Sequence, residues 1–160
     1  MADRPITTTL NRIRAHGPCK EGWERLLKYL GKTKADDEPL PFSVILKSNG
    51  IGDALWCCRA EPQHAKEWRL FAVWCARQVQ HLMKDQRSID ALDVAERHAY
   101  GQATDEELAA AWAAAQAAAW AAAWAAAPAA AWAAAQASAV AAAREAQAVR
   151  FLEIVGDADE

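Results

Sequence analysis

A chain of 160 residues with 18 basic and 21 acidic side chains, a net charge of −3 and 53% hydrophobic residues is sized for one domain, or for one domain with an extension. That balance supplies no broad basic field, which argues against nucleic acid as the main partner. The opening stretch MADRPITTTLNRIRAHG carries charges but no apolar run, so it does not read as a secretion signal and a cytoplasmic protein is expected.

In chain order, CKEGWERLLKYLG places Trp23, Leu26, Leu27 and Leu30 at helical spacing, with Gly31 as a stop. A polar loop, KTKADDEPLP, follows. Its Asp36, Asp37 and Glu38 could attract a cation, but such a run reads first as a solvated loop. PFSVILKSNG contains β-formers, yet the run is short and predicts a brief helix ended by Asn49-Gly50. Asp53 opens another helix in DALWCCRAE. The strongest periodicity of the first half lies in KEWRLFAVWCARQVQHLMKD, a core helix with Arg69, Arg77 and Lys84 off its apolar stripe. Trp56, Phe71, Trp74, Cys75, Val79 and Leu82 are the expected core. DQRSIDALDVAERHAYG is a shorter amphipathic helix closed by Gly101. Thr104 with Glu107 three residues later is a capping box, and Asp105, Glu106 and Glu107 suit the positive end of a helix dipole. No strand pattern appears. The expectation is an all-α protein of six or seven helices without a sheet: a compact helical domain over 1–103, then an Ala/Trp-rich helix or kinked helix pair over 104–155, packed on that domain or extending from it.

Between Ala109 and Ala143, 26 of 35 residues are alanine, which makes helix close to obligatory. Every fourth position from Trp112 to Gln136 is Trp, Gln or Pro. At roughly 100° per residue, Trp120, Trp124 and Trp132 stand about 80°, 120° and 200° around the axis from Trp112, so the indoles wind rather than form one seam. Trp120 and Trp124, about 40° apart, can share one neighbouring surface. Pro128 is expected to kink or break the helix. Small alanines let a neighbouring helix approach closely while each indole contributes a large buried area. The tract thus reads as core packed on the first domain, as an arm whose exposed Trp112, Trp120, Trp124 and Trp132 require a partner, or as a poorly ordered Ala-rich extension. A membrane span is not expected, because the hydrophobicity is mostly methyl groups with Gln116, Pro128, Gln136 and Ser138 interspersed.

The segment from Gly50 to Ala111 resembles a group of all-helical bacterial and phage immunity proteins. The matching stretches are DALWCCRA, with Asp53, Trp56 and Arg59; RLFAVWCARQVQHL, with Arg69, Cys75, Ala76 and Val79; and DQRSIDALDVAERHAYGQATDEELAAA, with Asp85, Arg87, Ala91 and Arg97. Members of that group also tend to run on into Ala-rich tracts, though here Trp, Gln and Pro stand where charged residues usually punctuate them. The resemblance implies a cytoplasmic protein that binds and neutralises a cognate toxin or, in a phage setting, a host defence component. An assembly protein that self-associates through the Ala/Trp-rich helices, as a homodimer, is the alternative. Arg59, Arg69, Asp85 and Arg87 read as a structural ion-pair network at the ends of apolar helices, with the three arginines as candidates for a partner-facing role alongside the indoles.

Enzyme chemistry finds no foothold. No nucleophile elbow, P-loop or zinc-protease motif is present, and NGIGD lacks the third glycine of a dinucleotide fingerprint. His81 and His98 fall on separate predicted helices and read as surface or capping residues. Cys19, Cys57, Cys58 and Cys75 read as reduced thiols of a helical core; the adjacent Cys57 and Cys58 cannot pair with each other. His16 and Cys19 of HGPC have no second ligand pair at metal spacing. No cofactor and no metal are expected.

Overall fold

The computed structural model describes residues 4–125 and 133–157, with side chains given for 4–118 and 142–157. The expectations for Pro128 and Trp132 lie outside the described residues, as do those for the side chains of Trp120 and Trp124. In chain order come β1 (Thr7–Thr8), α1 (Leu10–Ala15), α2 (Lys20–Leu30), β2 (Leu40–Pro41), α3 (Phe42–Asn49), α4 (Ile51–Cys57), α5 (Ala65–Gln78), α6 (Gln86–Ala99), α7 (Asp105–Ala125) and α8 (Ala133–Val155). Short 3-10 turns at Cys58–Ala60, Pro62–His64 and Gln80–Leu82 link α4 to α5 and α5 to α6. The described chain is all-α, with one small sheet.

Local chemistry sets the helix ends. Thr9 caps α1 by accepting from the Arg12 N–H at 3.2 Å. Gly31, at φ 65°, closes α2 in the left-handed region that few other residues adopt. The capping box of α7 forms as the spacing predicts: the Glu107 N–H donates to Thr104 Oγ1 at 3.1 Å, and the Thr104 N–H to Glu107 Oε2 at 2.7 Å.

The chain divides into two compact units, 1–63 with 141–160, and 64–140. The change of composition at Thr104 therefore falls inside the second unit, and the end of the Ala-rich region belongs to the first. In the first unit Leu10, Ile13, Phe42, Ile45, Phe151 and Val155 are almost completely buried. Phe42 and Phe151 meet edge to face, centroids 6.1 Å apart, and the Ile6 N–H donates to the Val155 carbonyl at 2.7 Å. Arg12 Nη1 pairs at 2.6 Å with Glu61, a carboxylate buried in this core. Against the expectation of no sheet, β1 and β2 pair antiparallel, with Thr7 opposite Pro41 and Thr8 opposite Leu40. A two-residue strand has no alternation for a sequence pattern to reveal.

In the second unit, α6 packs against both α5 and α7. Phe71 and Val73 are the buried residues of α5, while Trp74 and Cys75 are only half-buried, as Trp56 is in the first unit. Val79 and Leu82, expected in the core, are 46% and 67% exposed. A stripe continued at 100° per residue to Leu82 overruns the helix, which stops first. α5 ends at Gln78, Val79 leaves helical geometry at ψ 9°, and the next three residues form a 3-10 turn, so the period no longer applies.

Candidate functional site

Helix α6 packs against α5 on one side and, through small side chains, against α7 on the other. Ala91 and Ala99 of α6 and Ala118 of α7 are buried, which lets the helices approach closely. Arg77 ties α5 to α6 through Asp93 and Glu96, each at 2.7 Å. Between the three helices lies an open groove of about 930 Å³. Trp68, Arg69 and Val73 of α5, Leu92 of α6, and Leu108 and Trp112 of α7 line it, with alanines from all three helices between them. The α7 stretch from Leu108 to Gln116 gives the groove a length of roughly 12 Å at 1.5 Å per residue. Trp112 is 61% exposed, so a large indole faces solvent beside apolar walls.

Arg69 carries the electrostatics of this site. Its Nη1 lies 2.6 Å from His98 Nδ1, and His98 Nε2 lies 2.6 Å from Asp105 Oδ1. A guanidinium can only donate, so Nδ1 must accept and the imidazole proton sits on Nε2, facing Asp105. The chain of contacts joins α5, α6 and the first turn of α7. Among the described residues Arg69 meets no carboxylate directly, which leaves its positive charge at the groove only indirectly balanced.

Of the residues singled out in the sequence, Arg69 and Trp112 thus share one surface. Arg87 does not join them: it pairs with its neighbour Asp85 at 2.6 Å, and its N–H donates to the same carboxylate at 2.9 Å as the cap of α6. These bonds from the Arg87 side chain and backbone hold the Asp85 carboxyl well below the usual range, at about 2. Arg59 belongs to the first unit, where its guanidinium lies 4.2 Å from the Trp56 ring centroid and Nε donates to the Trp56 carbonyl at 2.8 Å. The expected ion-pair network of Arg59, Arg69, Asp85 and Arg87 is therefore three separate local arrangements. Residues that look like one set in the sequence face different neighbours once their helices are placed. Sequence reading missed Trp68 as a wall of the groove and His98 as the partner of Arg69. The only signal for the latter was a histidine one turn before the Gly101 stop, close in sequence to Asp105.

The remaining candidates are local. Lys32 pairs with Asp36 at 2.6 Å and with Glu38, closing the acidic loop on itself. All four cysteines are free thiols; burial pushes Cys57 and Cys58 up to about 12. Among the described residues no cluster of His, Cys, Asp or Glu could hold a metal ion, and no helix is long and apolar enough to cross a membrane. The chain matches no family model, no curated protein and no solved structure.

Proposed function

We propose that the protein is a binding inhibitor that takes up an amphipathic helix of another protein in the groove between α5, α6 and α7. Its target would be a cognate toxin, as the resemblance to immunity proteins implies, or a host defence component. The reading rests on one observation: an open apolar groove holding a 61% exposed Trp112 and, beside it, Arg69 without a carboxylate partner among the described residues. Trp and Arg dominate the energetics of protein interfaces. A groove roughly 12 Å long accommodates two turns of a docked helix with anchors at i, i+3 or i+4, and i+7. The described lining of the groove holds one hydroxyl, Ser88, and no carboxylate, histidine or cysteine, which supports reading the protein as acting by binding, without catalysis.

The test is co-expression with the toxin or defence protein encoded beside its gene, followed by growth measurement and titration of the purified pair. Trp112→Ala should weaken the complex by about 2 kcal/mol or more, as truncation of an interface anchor does, without changing the melting temperature. Protection and affinity both unaltered by Trp112→Ala and Arg69→Ala would overturn the reading. Self-association through α7 is the second reading, favoured by the same exposed indole on an alanine-rich helix that permits close approach. Sedimentation separates the two: a concentration-dependent dimer abolished by Trp112→Ala supports assembly.

A further inference from the structure

The first unit contains a second, smaller cavity, of about 150 Å³. Its walls include Trp23, Leu26, Ile45 and Trp56, and Asp53 is the only carboxylate among its lining residues, which include no Lys, Arg or His. Asp53 stands in the first turn of α4. Its Oδ2 accepts from Asn49 Nδ2 at 2.8 Å, and the same amide donates to the Gly22 carbonyl at 2.8 Å. Among the described residues no cation pairs with Asp53. A Cβ at position 22 would sit 2.8 Å from Asp53 Oδ2 and 3.2 Å from Cys19 Sγ. The glycine inside α2 therefore keeps room for this carboxylate, although glycine there costs roughly 0.5–1 kcal/mol relative to alanine. Cys57, also in the lining, stays a neutral thiol, since burial first and the Asp53 charge second push it up to about 12.

We propose that this cavity binds the head group of a small alkylated ammonium ion, with Asp53 as counter-charge and Trp23 and Trp56 as the aromatic wall. Size decides against larger ligands, because a cavity of about 150 Å³ holds a benzene-sized guest, the bulk of a tetramethylammonium ion. Chemistry decides against a bare metal ion. Calcium takes about six to eight oxygen ligands, whereas the cavity offers one carboxylate and two carbonyl oxygens already engaged, Gly22 O accepting from Asn49 and Asn49 Oδ1 accepting from Ser48. An alkylated ammonium presents methyl groups to apolar walls and is drawn to indole faces. Trp56 already carries one cation, the Arg59 guanidinium 4.2 Å from its centroid, and a ring has a second face. The site lies wholly within the first unit and is independent of the groove.

The probe is tetramethylammonium chloride, titrated into the full chain while the indole N–H signals of Trp23 and Trp56 are followed by NMR and assigned with Trp23→Phe and Trp56→Phe. Both signals should shift saturably with a Kd of about 10 mM or tighter, and uncharged tert-butanol should bind at least about tenfold more weakly. Asp53→Asn, which keeps the shape and the Asn49 contact, should weaken tetramethylammonium by about tenfold or more. No saturable shift, or an equal response to tert-butanol or to potassium chloride at matched ionic strength, overturns the proposal. So does undiminished binding by a folded Asp53→Asn protein. If that variant does not fold, the comparison of charged and uncharged probes on the native chain decides alone.

Discussion

Replacing Phe151 by alanine tests the claim that the end of the chain completes the core of the first unit. Phe151 is fully buried near the end of α8 and packs edge to face on Phe42, itself fully buried, at 6.1 Å and 70°. Truncating a buried phenylalanine costs about 3–5 kcal/mol through lost transfer energy and the cavity left behind. With a urea slope of about 2 kcal/mol/M, a loss near 4 kcal/mol lowers the midpoint by about 2 M. Part of that cost belongs to the aromatic pair. A double-mutant cycle with Phe42→Leu should return a coupling of about 0.5–1.5 kcal/mol. Urea denaturation followed by circular dichroism and Trp fluorescence measures both quantities. A loss below about 1 kcal/mol, or additive single mutants, would mean that residues 141–157 do not share a core with residues 4–63.

Gly22→Ala gains up to about 1 kcal/mol of helix propensity but drives a Cβ to 2.8 Å from Asp53 Oδ2; the expected outcome is no net gain in stability, and a gain near the full propensity difference would show that Asp53 moves freely. Cys57 and Cys58 are held up at about 12 against an ordinary 9.0, so between these values only the unfolded chain releases protons. Stability should therefore fall with rising pH above about 9, by up to about 1.4 kcal/mol per pH unit per thiol; a profile flat from pH 8 to 10.5 would refute this. Asp85, held at about 2 by Arg87, contributes stability that is complete above its unfolded pKa of about 3.9 and lost as pH falls through about 2; an NMR titration of its carboxyl placing the midpoint near 4 would refute the pairing. Val79→Ser and Leu82→Ser, on exposed positions, should each change stability by about 0.5 kcal/mol or less, whereas a core stripe reaching Leu82 would make them costly.

The sequence by itself determined what depends on neighbours within about one helical turn. Alanine propensity, the Thr104–Glu107 box and the Gly31 stop act through torsions and hydrogen bonds between residues at most four apart, and the structure carries each of them as the spacing implied. Trp112 and Arg69 were also legible as candidates, because an indole in an alanine helix and an arginine off an apolar stripe stand out one residue at a time. What they face was not. Tertiary structure decided that Trp68 and Leu108 share a groove with them and that Arg69 meets His98. It also decided that the short strands pair, that Phe151 packs on Phe42, 109 residues earlier in the sequence, and that Gly22 makes room for Asp53. The physical reason is the same in each case. Periodicity states which face of an element is apolar and for how long, but not which other face covers it. That is settled only when distant segments bury their surfaces against one another, and the end of α5 at Gln78 shows how a single misplaced helix terminus moves two side chains from expected core to solvent.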